Sequence, residues 1–402
     1  MKGSFFVLFL FVSNVFSQEC NNLQRMEYNV GDGPQETFVY VEAWDRQNAS
    51  SFLGRHVKFV NLLTVPVELY WEQEKKTSLV KVLRPLSTAG ITAFVDHVFS
   101  FRLREVVLER FRVRADASNV FSIPLKVVDR MTHYYQLPER NTTQQEESYQ
   151  WLTKTLLYND YYYNATGRSF LSRYGRLPPR HFMWPADFLG QEHVVQNLTL
   201  TVLSCAPRVF EIRDFLSSTE VEHLWQFAQQ KKLTQSQIGD ENTDDYASKG
   251  TRSSYNSWIG RHESALVETI YRRAYNVLQL PHTPDVTEPL QVVRYRFREA
   301  YRVHADFGYP DPSHAEQPTR FATLLLYLNS VTMGGETSFP LGSHGDLRVR
   351  PEAGKAVLFY LQTPDGNMDE KSLHEALPVI KGEKWLANLW FWEPVKDVES
   401  LQ

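Results

Sequence analysis

A chain of 402 residues, 42% hydrophobic and 13% aromatic, is long enough for two cores and too apolar to remain disordered. Its formal net charge is −4, with Lys and Arg scattered along the chain, which excludes the dense basic footprint that grips a nucleic-acid backbone or an anionic membrane. The expectation is a folded protein of two domains and a connector, without a nucleic-acid partner.

Residues 1–17 carry Lys2, an apolar run over 5–12, and small or polar residues ending at Ser17. That is the layout of a signal peptide, and the run is too short to span a bilayer. No later segment stays apolar long enough to predict a membrane span. Sequons at Asn48, Asn141, Asn164 and Asn197 point to the same secretory route, ending in the endoplasmic reticulum lumen or outside the cell. The two cysteines, Cys20 and Cys205, either form one long-range disulfide in such a compartment or stay free.

Residues 18–130 read as a β-sandwich. Within 57–72, Val67, Leu69 and Trp71 alternate with Glu68, Tyr70 and Glu72, the period of a half-buried strand. Short β-prone runs follow at 79–83, 91–94, 97–102 and 106–113. Residues 131–205 loosen into polar stretches and clustered tyrosines and read as a connector, part-helical over 146–158. From 206 to 402 an α+β domain is expected. Ser217 with Glu220 makes a capping box ahead of Val221, Leu224, Trp225 and Ala228. A second helix is read over 263–278. Strands are then read at 290–296, 301–306, 323–328, 337–340, 347–349, 356–361 and 385–392. Helices followed by many strands predict a double β-sheet.

The chemistry gathers in this second domain. His304 and Asp306, two residues apart in an extended segment, share one face. His374 supplies a third donor from a distant segment. Two imidazoles and one carboxylate form the facial triad that holds iron(II) and leaves positions open, unlike a closed structural zinc site. Lys384 follows ten residues later among Trp385, Leu386, Leu389 and Trp390. Leaning into a pocket there, its ammonium would need an anionic partner such as the far carboxylate of a dicarboxylic acid.

These segments together, Gln291-Val-Val-Arg-Tyr295, Tyr301-Arg-Val-His304-Ala-Asp306, Arg320-Phe-Ala-Thr-Leu-Leu-Leu-Tyr327, Gly334-Gly-Glu-Thr337-Ser-Phe-Pro340 and Ser372-Leu-His374 through Lys384-Trp385, resemble the prolyl 4-hydroxylases in order and spacing. The resemblance implies a double-stranded β-helix, or jelly-roll. It also implies an Fe(II)- and 2-oxoglutarate-dependent dioxygenase, consuming O2 and supported by ascorbate, that hydroxylates a proline-rich peptide or protein and releases succinate and CO2. By the same resemblance Tyr295 lies beside the metal-binding end of 2-oxoglutarate. Tyr327 joins Lys384 at its far carboxylate, and Thr337 lines the pocket. Arg320 matches an arginine of the peptide-binding face, and Trp392 stands where plant-type members have a histidine that helps seat the peptide. Arg252, in Thr251-Arg252-Ser253-Ser254, resembles part of a mobile substrate loop.

The first domain has its own resemblance. Val67-Glu-Leu-Tyr-Trp71, Leu83-Arg-Pro85 and Thr92-Ala-Phe-Val-Asp-His97-Val-Phe99 are similar to the von Hippel-Lindau β domain, which implies capture of hydroxyproline peptides. Trp71 and His97 match pocket residues, whereas Ala93 replaces a serine, Phe99 a tryptophan, and Val80 lies about where a tyrosine is expected. Two alternatives to a prolyl hydroxylase remain open on sequence: a secreted hydroxyproline-binding protein with a silent jelly-roll, or a dioxygenase acting on lysine or another side chain.

Overall fold

The computed structural model describes residues 55–394 apart from 75, 171–180, 232, 237–251, 284–285, 308–317 and 365, and the backbone of two earlier strands, Leu23–Tyr28 and Glu36–Glu42. Of 161, 165 and 166 it describes the backbone alone. The expected signal peptide, Asn48, Cys20 and Thr251 lie outside the described residues. Cys205 is disulfide-bonded.

The alternation at Val67, Leu69 and Trp71 produces the strand Val67–Gln73. With Lys76–Leu83, Val98–Leu103 and Val106–Arg112 it forms a four-stranded antiparallel sheet. A second sheet, Ser87–Ala93, Arg55–Asn61 and Val120–Ser122, packs on it. Phe59 fills the space between them, meeting Phe99 and Phe101 edge-on at 5.2 and 5.9 Å. The stretch 57–72, expected as one strand, is therefore two strands in different sheets. The Asn61 side chain breaks it by donating to Val65 O (2.9 Å) and Arg84 O (2.8 Å) and accepting from Leu63 N (2.9 Å), an Asx-type turn that competes with the ladder.

The span 131–205 is no simple connector. It holds the end of helix α1 (Leu125–Tyr134), the whole of helix α2 (Thr143–Thr166), and the strands Glu192–Val195 and Leu198–Cys205. Thr142 caps α2 by accepting from Gln145 N, and Gly167 ends it at φ 70°, a left-handed turn that glycine adopts without strain. No single apolar stripe marks α2. Trp151 and Leu152 pack into the sandwich core while Tyr158 and Tyr162 enclose Phe170.

The expected capping box forms at the start of helix α3 (Ser218–Gln230). Helix α4 runs Ala265–Leu278 rather than from 263, because Glu263 belongs to a short 3-10 turn and Ser264 is the cap, accepting from Val267 N at 3.1 Å. Both helices lie on one face of a nine-stranded antiparallel sheet. Its order is Glu192–Val195, Leu198–Cys205, Arg208–Ile212, Ala356–Tyr360, Arg320–Tyr327, Lys384–Trp392, Leu290–Tyr295, Tyr255–Ile259 and Thr234–Gln235. A four-stranded sheet, Tyr301–His304, His374–Ala376, Thr337–Phe339 and Leu347–Val349, covers the opposite face, an arrangement that fits the expected double β-sheet. Among the described residues no helix is long and apolar enough to cross a membrane.

Period-2 geometry sorts the central strands. Ala322, Leu324 and Leu326 face the helices, as do Trp385, Ala387, Leu389 and Phe391. The intervening Leu325, Tyr327 and Leu386 face the four-stranded sheet together with Val293 and Tyr295. Lys384, Thr323, Trp390 and Trp392 share that parity, so the sequence pattern alone sends them to the same side as the site.

Candidate active site

His304 and His374 are direct cross-strand partners in the smaller sheet, with ring centroids 4.3 Å apart. Asp306 follows just beyond the strand end. Its carboxylate lies 3.7 Å from His304 Nε2 and 3.6 Å from His374 Nε2, and the three donor atoms lie within 4.8 Å of one another. The structure thus brings together all three residues that the sequence nominated as a triad.

The surroundings orient these groups. His304 Nδ1 faces Arg302 O at 2.8 Å and His374 Nδ1 faces Ser372 O at 3.0 Å. A carbonyl acceptor fixes the proton on Nδ1 and leaves Nε2 with its lone pair toward the shared centre. Thr323 donates to Asp306 Oδ2 at 2.8 Å. Burial pushes the His304 imidazole down to about 3, helped by neighbouring His374, so it is neutral at physiological pH. Burial alone would raise Asp306, but His374, His304 and Arg320 outweigh it and hold the carboxyl down at about 2. Two imidazoles with Nε2 turned to one centre and an ionised carboxylate are the donor set that a divalent iron needs.

Lys384 is the second feature. It is 0% exposed, with Nζ 3.4 Å from Thr337 Oγ1 and 5.4 and 5.7 Å from the ring centres of Tyr295 and Tyr327. Tyr327 donates to Thr337 Oγ1 at 2.8 Å. The register pairs Tyr295 directly with Lys384. Among the described residues no carboxylate lies within 4.0 Å of this ammonium, although Glu336 acts on it at longer range. Burial lowers its pKa to about 7. A buried ammonium beside the Thr337 hydroxyl and two tyrosine rings, with no carboxylate close by among the described residues, fits an incoming carboxylate. Gly335, at φ 74°, lies against this lysine, since a Cβ there would stand 3.5 Å from Lys384 Cδ.

The three residues assigned to substrate all connect to the surroundings of the triad. Arg320 forms a two-pronged ion pair with Glu288 (2.5 and 2.8 Å), and its Nη1 donates to Asp306 O at 3.3 Å. Trp392 donates to the same Glu288 at 2.8 Å. Arg252, expected on a mobile loop, is held by Ser254 Oγ (3.1 Å) and Gln291 Oε1 (3.3 Å), and covers the ring of Tyr301 at 4.5 Å. Tyr301 in turn stacks on His304, centroids 3.5 Å apart. Sequence reasoning missed Glu288, Thr323 and the stacking role of Tyr301. Only the shared parity of Thr323 with Tyr327 carried a signal for any of them.

Residues 290–392 match the 2OG-Fe(II) oxygenase superfamily. Probable prolyl 4-hydroxylase 8 of Arabidopsis thaliana is 33% identical over 209 residues, which cover 48% of this chain and 71% of that protein. Prolyl 4-hydroxylase 1 of the same organism is 32% identical, over 52% of this chain and 76% of its own. The solved structure of a viral collagen prolyl hydroxylase from Paramecium bursaria Chlorella virus-1, a complex with 2OG, is 28% identical, covers 46% of this chain and 95% of its own, and has a TM-score of 0.37.

Proposed function

Because this chain belongs to the prolyl 4-hydroxylase family of 2-oxoglutarate-dependent iron(II) dioxygenases, we propose that it hydroxylates peptidyl proline in proteins of the secretory pathway, with ascorbate as supporting reductant. The observation that carries this reading is the pairing of a His304, Asp306 and His374 cluster with a fully buried Lys384 on the same interior face.

In this reading His304, Asp306 and His374 hold iron(II), while Lys384, Thr337 and Tyr327 receive the far carboxylate of 2-oxoglutarate, with Tyr295 beside them. When bound, iron would activate O2 with 2-oxoglutarate as the two-electron donor, the cosubstrate taking one oxygen atom as it decarboxylates to succinate and CO2 and leaving the other for an unactivated C–H bond. The chain's own contribution is positioning. The carbonyls of Arg302 and Ser372 orient the imidazoles, and Thr323 fixes the Asp306 carboxylate. Tyr295, Tyr327 and the buried strand around them exclude water. Arg320, Arg252 and Trp392 flank the triad, where they would contact a bound peptide.

Three sequon asparagines, Asn141, Asn164 and Asn197, are exposed, and Cys205 is disulfide-bonded. Both observations support a secretory route. Purified protein supplied with iron, ascorbate and 2-oxoglutarate is expected to form succinate and add one oxygen to proline in proline-rich peptides, located by fragment mass spectrometry. His304→Ala and His374→Ala should each abolish both products. Succinate without oxygen on proline, but with oxygen on lysine or another side chain, would overturn the substrate assignment and leave the dioxygenase chemistry standing.

A further inference from the structure

We propose that the N-terminal sandwich and helix α2 are positioning elements of the iron site, bracing two of its three ligands from outside the jelly-roll. The proposal rests on the reading of His304, Asp306 and His374 as iron ligands.

Two lines of contact cross the seam. The first begins at the strand Arg55–Asn61, buried along its whole length. Val57 and Phe59 belong to the sandwich core, while His56 and Lys58, of opposite parity, face outward. The His56 ring lies 4.9 Å from that of Phe307, the residue that directly follows Asp306. Phe307 is itself in the core between the jelly-roll sheets, as is Val120 of the sandwich at its margin. Asp306 therefore leaves its strand against a wall that the other domain supplies.

The second line runs to His374. Immediately beyond α2, Arg168 forms an ion pair with Asp369, the two side chains only 4% and 5% exposed. Next to it Ser169 N donates to Glu370 at 2.9 Å, and Asn367 Nδ2 donates to Ser169 O at 3.2 Å. Asp369 caps the short turn Glu370–Ser372, accepting from Lys371 N at 3.0 Å, and its carbonyl accepts from Ser372 Oγ at 2.6 Å. Ser372 O is the acceptor that orients the His374 imidazole. A single short turn thus has the α2 seam on one side and a metal-facing histidine on the other. An ion pair this deeply buried needs both partners in place, so loss of Arg168 leaves the Asp369 turn without the charge that pins it.

The test uses the full-length protein and cobalt(II) as probe, followed by visible absorbance, which reads occupancy without turnover. Wild type should bind and His374→Ala should not. Failure of that pair would overturn the iron-site reading, and this inference with it. Once the pair behaves as stated, His56→Leu and Arg168→Met should each raise the cobalt Kd by about tenfold, the lower end of the effect of outer partners on metal affinity. Phe101→Leu, in the other sheet of the sandwich and outside both lines of contact, should lower the thermal midpoint without moving the Kd. Should Arg168→Met fail to fold, Asp369→Asn replaces it. Folded seam variants within about twofold of wild type, or an equal rise in Phe101→Leu, would overturn the proposal, because outer partners that orient a ligand weaken binding by more than that and act locally.

Discussion

Replacing Lys384 by methionine separates what the residue does for the fold from what it does for the cosubstrate. In the cosubstrate-free protein the ammonium is buried with no carboxylate within 4.0 Å among the described residues, and burial lowers its pKa from 10.5 to about 7. The unfolded chain keeps that proton up to the ordinary value. Between pH 7 and 10.5 the unfolded state therefore binds more protons than the folded one, and the stability of the free protein rises with pH across that window. At pH 7 the buried lysine costs on the order of 4 kcal/mol, taking about 1.4 kcal/mol for each factor of ten in the proton equilibrium. Lys384→Met fills nearly the same volume without the charge, so it should be more stable than wild type at pH 7 in the absence of 2-oxoglutarate. On the proposed role of Lys384, the same change removes one partner of a buried charge pair with the cosubstrate, worth roughly 2–5 kcal/mol, or about 30-fold to several-thousand-fold in Kd. Thermal denaturation with and without 2-oxoglutarate, and calorimetric titration without oxygen, read the two effects separately. A variant that is less stable than wild type at pH 7 and still binds 2-oxoglutarate normally would refute the reasoning.

Three further outcomes follow from the geometry. Tyr327→Phe removes the hydroxyl that donates to Thr337 Oγ1, and should raise the KM for 2-oxoglutarate by about fivefold, the value of one hydrogen bond of about 1 kcal/mol, with the peptide KM unchanged in steady-state assays. Glu288→Gln weakens the hold on Arg320 and Trp392. With both charges partly exposed, a loss of about 1 kcal/mol, read as a roughly fivefold rise in peptide KM at unchanged 2-oxoglutarate KM, is expected. For the sandwich, the Trp71 and His97 rings lie 4.8 Å apart. If they take hydroxyproline, full-length protein should prefer a hydroxyproline peptide over its proline counterpart by about fivefold, one hydroxyl's hydrogen bond, and Trp71→Ala should remove the preference. Equal binding of the two peptides would discard that role.

Local signals made the core of the site legible in sequence. The spacing of His304 and Asp306 puts two donors on one side of an extended segment, although the strand ends at His304, and Lys384 sits at the head of a strand whose alternation predicts which way it points. The same period explains why Tyr295, Tyr327 and Thr323 converge with it. His374 is different. Its strand has three residues, too few for any period to show, so only its chemistry and the family resemblance flagged it. Helix α2 went unread as a full helix because its two ends bury against different clusters, which erases the stripe that betrays an amphipathic helix. Glu288 looked like any acidic residue before a proline, since its meaning lies in Arg320 and Trp392, 32 and 104 residues away.

The strand Arg55–Asn61 gives the general form of that limit. In a sandwich with one solvated face, alternating polar residues are expected outside and apolar ones inside, and Arg-His-Val-Lys-Phe-Val-Asn from Arg55 to Asn61 reads that way. Yet His56 is 6% and Lys58 1% exposed. Burial lowers the Lys58 pKa to about 7 and the His56 pKa to about 3, the latter with help from Lys58. Both groups therefore carry the mark of an interface while having the sequence of a surface. Ionisable side chains buried at that cost are kept where contact matters more than stability. Here the contact leads, through Phe307, to the segment that leaves Asp306, so the polar face of the sandwich strand is best understood as part of the catalytic domain's wall.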